Sequence, residues 1–160
     1  MALPTSTAQT SEGAAWASRL GRHPCDMVRP AVTSKEVIRT ERAPAPFQGA
    51  PYSQAIRFDQ LVFVSGQLAI DPETNEMLGG GIEEQTEQVM KNLRAILEEA
   101  GSSPKQLLKT TIYLADLGDF AAMNEVYAKH VGNTPPARAT IEVSALPQGA
   151  KIEIEAVAHI

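Results

Sequence analysis

Only two stretches of the 160-residue chain place apolar side chains at three- and four-residue steps, and this scarcity of helix constrains the fold more than any other feature. The first runs through Ile82, Thr86, Val89, Leu93, Ile96/Leu97 and Ala100, and Gly101 is placed to end it. The second runs through Phe120, Met123, Val126/Tyr127 and Val131, with Asp119 as candidate N-cap and Gly132 at its close. Around them lie segments of strand character: 36–40, a hairpin of 54–58 and 61–70 turning at Asp59-Gln60, then 107–115, 138–144 and 151–158. Within 61–70 the Ser65-Gly66 pair predicts a bulge or a close approach of backbone to something else.

Strands, helix, strand, helix, strands: this order predicts an α+β fold, a mixed sheet with two helices packed on one face. Two helices cannot cover both faces. Leu61-Val62-Phe63-Val64 is apolar on both sides of its strand, so the second face needs cover too, and another copy of the chain is its simplest source. The expectation is a homo-oligomer with sites between subunits.

That same four-residue run is the longest of large apolar side chains, far below the roughly 20 residues a membrane-spanning helix needs, so no membrane role is expected. Residues 1–34 hold eight Ser/Thr, six Ala and three Pro with few large apolar side chains, and are expected to be a disordered extension. The extension reads either as a transit peptide or as an over-extended start upstream of Met27. With three arginines against two acids there, the working domain at 35–160 carries −6 of the chain's −5, which opposes phosphate neutralisation and hence nucleic-acid binding. A lone Cys25 and the scattered His23, His130 and His159 give no zinc spacing, so neither metal nor cofactor is expected.

Among polar candidates Arg138 is the most informative. It follows a rigid Pro-Pro-Ala entry and starts a strand, where its planar fork suits a carboxylate. The alternative at this level is an ion pair with Glu142 or another acid. Glu153 and Glu155 share a strand face about 7 Å apart by the rise per residue, and strand geometry cannot choose between them as the holder of a catalytic water. Gly79-Gly80-Gly81 lacks the Lys-Ser/Thr of a phosphate loop and leads into Glu83, Glu84 and Glu87, which repel phosphate. His130, near a helix end, suits charge complementation or packing rather than catalysis.

Six motifs, in order, resemble the RidA/YjgF family: Pro51-Tyr52-Ser53-Gln54-Ala55, Val64-Ser65-Gly66-Gln67, Lys109-Thr110-Thr111 with Leu114-Ala115-Asp116, Asn124-Glu125-Val126-Tyr127, Pro136-Ala137-Arg138, and Lys151-Ile152-Glu153-Ile154-Glu155-Ala156. The resemblance covers about 35–160. It implies a chorismate-mutase-like fold, a homotrimer with intersubunit clefts, and hydrolysis of the enamine/imine products of pyridoxal-phosphate dehydratases to 2-oxo acids and ammonia. It places the carboxylate-gripping arginine at Arg138, the water-holding glutamate at Glu153, and cleft-lining residues at Tyr52, Ser65, Gly66 and Asn124, with donors from the Ser65-Gly66 backbone. Thr140 stands where many relatives have cysteine, and its hydroxyl could bond ligand or water.

The implied reading is a metal-free deaminase of 2-iminobutanoate and 2-iminopropanoate, in the cytoplasm, or in a mitochondrion or plastid if 1–34 is a transit peptide. Two other readings stand beside it. One is a non-enzymatic 2-oxo acid sensor or holdase-like protein; the other is a single-strand endoribonuclease or translation inhibitor, which the acidic core opposes.

Overall fold

A computed structural model describes residues 35–47 and 50–160; the expectations for 1–34 lie outside them. Among the described residues six strands form one sheet: β1 (Glu36–Ile38), β2 (Ala55–Phe58), β3 (Leu61–Gln67), β4 (Leu107–Leu114), β5 (Ala137–Glu142) and β6 (Ile152–His159). Two helices, α1 (Ile82–Glu99) and α2 (Phe120–Val131), pack on one face. Their order across the sheet is β1-β2-β3-β6-β4-β5, antiparallel except for the parallel β4–β5 edge, which α2 connects as a crossover. The expected mixed sheet with two helices on one face is thus the observed fold.

Alternation in the strands assigns the core. Val62 and Val64 of β3, Ile112 and Leu114 of β4, and Ile152, Ile154, Ala156 and Ala158 of β6 point to the helices. They meet Val89, Met90, Leu93, Ile96 and Leu97 of α1 and Met123 of α2, all fully buried. Truncating any of the large ones to alanine costs about 2–5 kcal/mol. The face without helices carries Leu61, Phe63 and Ile141 exposed. This is the uncovered apolar face the two-sided pattern of 61–64 anticipates.

Buried amides hold the segments flanking the sheet. Gln54 donates to the carbonyls of Thr40, Ala43 and Pro44 and accepts from Thr40 N–H, so one side chain pins the loop that leads to Tyr52. Asn92, inside α1, donates to Leu68 O and Ile70 O and fixes the chain where it leaves β3. Each would otherwise be a buried polar group at a cost of about 1–3 kcal/mol.

Two local expectations need correction. Asp119 adopts helical dihedrals and makes no capping bond; a short 3₁₀ turn at Leu117–Asp119 precedes α2, and Asp116 caps it by accepting from Gly118 N–H at 2.7 Å. Leu68 to Ile70 leave the ladder after Gln67, so β3 is shorter than the 61–70 reading. Gly101, with φ +82, does end the first helix as expected.

Candidate active site

The cross-strand register decides which candidate side chains can meet. Arg138 pairs with Thr110 and Thr140 with Ile112, whose side chains face the helices. Glu153 pairs with Tyr113 on the opposite face, the one without helices. Arg138 and Glu153 therefore lie on opposite faces of one sheet, and the candidate residues fall into two groups.

The first group is built on the β5 edge and α2. Arg138 Nη1 donates to Asn124 Oδ1 at 2.8 Å, and its guanidinium carbon lies 5.5 Å from the Phe120 ring centre and 5.1 Å from that of Tyr127. The ion pair to Glu142, left open by the sequence, is not formed; Glu142 accepts from Leu117 N–H instead. Asn124, Tyr127, Val131, Pro136 and Arg138 line an open cleft of about 470 Å³. Asn124 and Arg138 were expected at one site and are brought together. Thr140 lies on the same face as Arg138, but its hydroxyl oxygen is sealed from solvent and has no partner among the described residues.

The second group centres on the β3 bulge. The register slips between Val64 and Gln67 against β6, so Ser65 and Gly66 oppose a single residue. The Glu153 carboxyl lies over Gly66, in the space a side chain would fill. Both alternatives posed for Gly66, bulge and close approach, hold together. Tyr52, Gln54 and Gly66 line one recess, which sets Tyr52 beside the bulge. Ser65 Oγ donates to Ser53 O and Ser65 N–H to Gln54 O, which withdraws that N–H from the donors expected of the bulge.

Electrostatics separates the two glutamates. Partial burial, and then the neighbouring Glu155 charge, push the Glu153 carboxyl above the ordinary 4.5. Glu155 is exposed. A carboxyl with a raised pKa beside a bulge is the better proton acceptor and donor near neutrality.

Two aromatic residues at the site escaped the sequence reading. Phe120 appears there only as an apolar step of a helix and Tyr127 as such a step and a motif member with no role assigned, yet both rings face Arg138. The legible signal was the 120, 124, 127 stripe, which puts Asn124 and both rings on one side of α2. His130 has a packing role: Arg94 donates to its Nδ1 at 3.0 Å, which leaves Nε2 to donate to Glu87 at 2.8 Å, tying α2 to α1. Among the described residues no three His, Cys, Asp or Glu side chains converge as a metal site.

Comparison with known proteins adds an independent line. Residues 40–160 match the family model described as Endoribonuclease L-PSP. The chain is 54% identical over 126 residues to a RutC family protein of Pyrococcus abyssi, covering 79% of this chain and 98% of that one. It is 43% identical over 124 residues to the human 2-iminobutanoate/2-iminopropanoate deaminase, covering 78% and 89%. The crystal structure of RidA from an Antarctic Psychrobacter superposes with a TM-score of 0.74 at 43% identity, covering 78% of this chain and 99% of that one.

Proposed function

The chain belongs to the RidA/YjgF family, and from that premise we propose that it hydrolyses 2-imino acids, 2-iminobutanoate and 2-iminopropanoate, to 2-oxo acids and ammonia. The observation that carries this reading is the state of Arg138. Asn124 holds Nη1, two rings flank the guanidinium, and the Nε/Nη2 edge has no partner among the described residues. A planar edge of this kind takes a carboxylate by two parallel hydrogen bonds. The human relative carries the deaminase name, which supports the same substrate class.

In the proposed mechanism the enamine first tautomerises to the imine, and Arg138 holds its carboxylate. Glu153 takes a proton from a water as the oxygen bonds C2. The resulting amino alcohol collapses: Glu153 returns its proton to the nitrogen, the C–N bond breaks and ammonia leaves, and the C2 hydroxyl gives its proton to the freed carboxylate as the oxygen becomes the carbonyl. A protonated imine carbon is already electrophilic, so positioning supplies most of the acceleration and the reaction needs no metal or cofactor. Tyr52, Ser65, Gly66 and Thr140 would shape the pocket.

Because Arg138 and Glu153 face opposite sides of the sheet, the proposed site joins Arg138 of one copy to Glu153 of the next, in a cyclic homotrimer closed over the exposed Phe63 and Ile141 face. Substrate would come from pyridoxal-phosphate dehydratases, and the compartment is that of those enzymes: cytoplasm, or an organelle. Among the described residues no helix is long and apolar enough to cross a membrane.

The test is decay of dehydratase-generated 2-iminobutanoate trapped as its semicarbazone. Less semicarbazone with the native protein, but not with Arg138→Ala, is the expected result. No difference from buffer rejects the deaminase reading. The description of the family model favours one other reading, RNA cleavage. Cleavage of single-stranded RNA that is lost with Arg138→Ala and survives further purification would establish it.

A further inference from the structure

We infer that Tyr127 is a positioning residue for Arg138: its ring, locked from behind by Thr110, sets the plane in which the guanidinium meets a carboxylate. The inference rests on the carboxylate-clamp reading of Arg138.

Tyr127 is almost wholly buried, and its hydroxyl is 2.8 Å from Thr110 Oγ1 in the interior. Thr110 on β4 is the register partner of Arg138 on β5. The three side chains thus close a loop: Arg138 to Tyr127 by its ring face, Tyr127 to Thr110 by its hydroxyl, and Thr110 to Arg138 through the parallel ladder. An arginine on an edge strand carries many rotamers, each of which loses freedom on binding. Here two rings and the Asn124 amide, spaced along one side of α2, remove that freedom before any ligand arrives. Ring contact restrains the guanidinium on one side, and the Nη1 bond to Asn124 restrains its rotation. What remains presented is the Nε/Nη2 edge.

The Tyr127 hydroxyl is given no proton-transfer role toward substrate in this arrangement. Burial raises its pKa, against the lowering effects of Thr110 and Arg138, and Thr110 is its partner. Its role is to keep the ring from turning under the guanidinium.

The test compares Tyr127→Phe, which keeps the ring, with Tyr127→Leu, which removes it, on two readouts. The first is the Arg138 side-chain signals in ¹⁵N-arginine-labelled protein without ligand, assigned with Arg138→Lys. Slow rotation about Nε–Cζ is expected in the native protein, intermediate in Tyr127→Phe and fast in Tyr127→Leu. The second is calorimetric binding of 2-oxobutanoate, where Tyr127→Leu should lose on the order of tenfold and Tyr127→Phe about threefold. Its ring-dependent loss should vanish when 2-oxobutanamide replaces the acid. Unchanged rotation and unchanged affinity in Tyr127→Leu overturn the inference, as does an equal loss for acid and amide, which would mark a merely structural role. If 2-iminobutanoate is not turned over while the acid-specific, ring-dependent binding persists, the deaminase reading falls and the positioning role stands.

Discussion

The carboxyl of Glu153 occupies the space that a side chain on Gly66 would need: a methyl group there would fall on Oε1 and within 2.8 Å of Cδ. The glycine therefore serves contact rather than dihedral freedom, since its φ is not positive. Gly66→Ala keeps the strand but drives the carboxyl out of place. The expected outcome is a folded protein whose kcat for imine hydrolysis falls about 10²-fold, matching the order of loss for removing a general base. Steady-state kinetics beside a melting curve checks it; a near-native kcat would show that Glu153 acts from another position.

Arg138→Lys should fail to replace arginine. Lysine keeps the charge but offers no planar edge, cannot stack on Phe120 and Tyr127 in the same way, and does not reach Asn124 while presenting two parallel donors. Loss of about 2–3 kcal/mol in kcat/KM, roughly 30- to 150-fold, is expected from a lost bidentate pair. Retention of most activity by the lysine variant would mean that a point charge suffices.

How much of this was legible follows the physics of each element. Periodicity over 82–100 and 120–131 located both helices because long amphipathic faces leave a strong mark, and the period-2 alternation of β6 separated Glu153 and Glu155 from Ile152 and Ile154 correctly. The same alternation split β5 into Arg138, Thr140 and Glu142 against Ala139 and Ile141, but it could not say which set faces the helices. On this edge strand the polar set does, and the apolar set lies on the uncovered face. Register is non-local, so the placement of Arg138 and Glu153 on opposite faces was unreadable. The Asp116 cap was missed because a 3₁₀ turn ahead of a helix shifts the capping position by three residues.

Stability should register the raised Glu153 pKa. Its folded value lies above the ordinary 4.5, so the folded state binds more protons between the two, and stability falls as pH rises through that window. Glu153→Gln has no charge to bury. It should melt higher than the native protein at pH 7, with the difference shrinking as pH falls below about 4.5, where both are neutral. Activity runs the other way: the native rate should rise with pH through the folded Glu153 pKa. Thermal scans from pH 3 to 8 decide it, and a pH-independent difference would remove the charge from the explanation.

The buried Thr140 hydroxyl has no partner among the described residues, which costs about 1–3 kcal/mol. Thr140→Val removes the oxygen at nearly constant shape. It should stabilise the protein by roughly 1 kcal/mol in urea unfolding without substrate. A loss of stability instead would place a partner for the hydroxyl on a neighbouring copy.

The opposite-face placement of Arg138 and Glu153 makes a sharper demand. If each site takes its arginine from one copy and its glutamate from the next, Arg138→Ala and Glu153→Gln damage different contributors to the site. Each variant alone is inactive at all its sites. In mixed oligomers an interface between an intact Arg138 and an intact Glu153 reappears wherever a Glu153→Gln copy precedes an Arg138→Ala copy around the ring. Random equal mixing restores about a quarter of the sites in a cyclic assembly. The two proteins, co-unfolded and refolded together, should therefore regain about that fraction of native turnover, while each refolded alone regains none. Were both groups to act within one chain, every site would still lack one of them and mixing would restore nothing. The same experiment with Phe63→Lys in both variants separates assembly from chemistry, because a charge on the uncovered face opposes association and should abolish the recovery along with the larger species in light scattering.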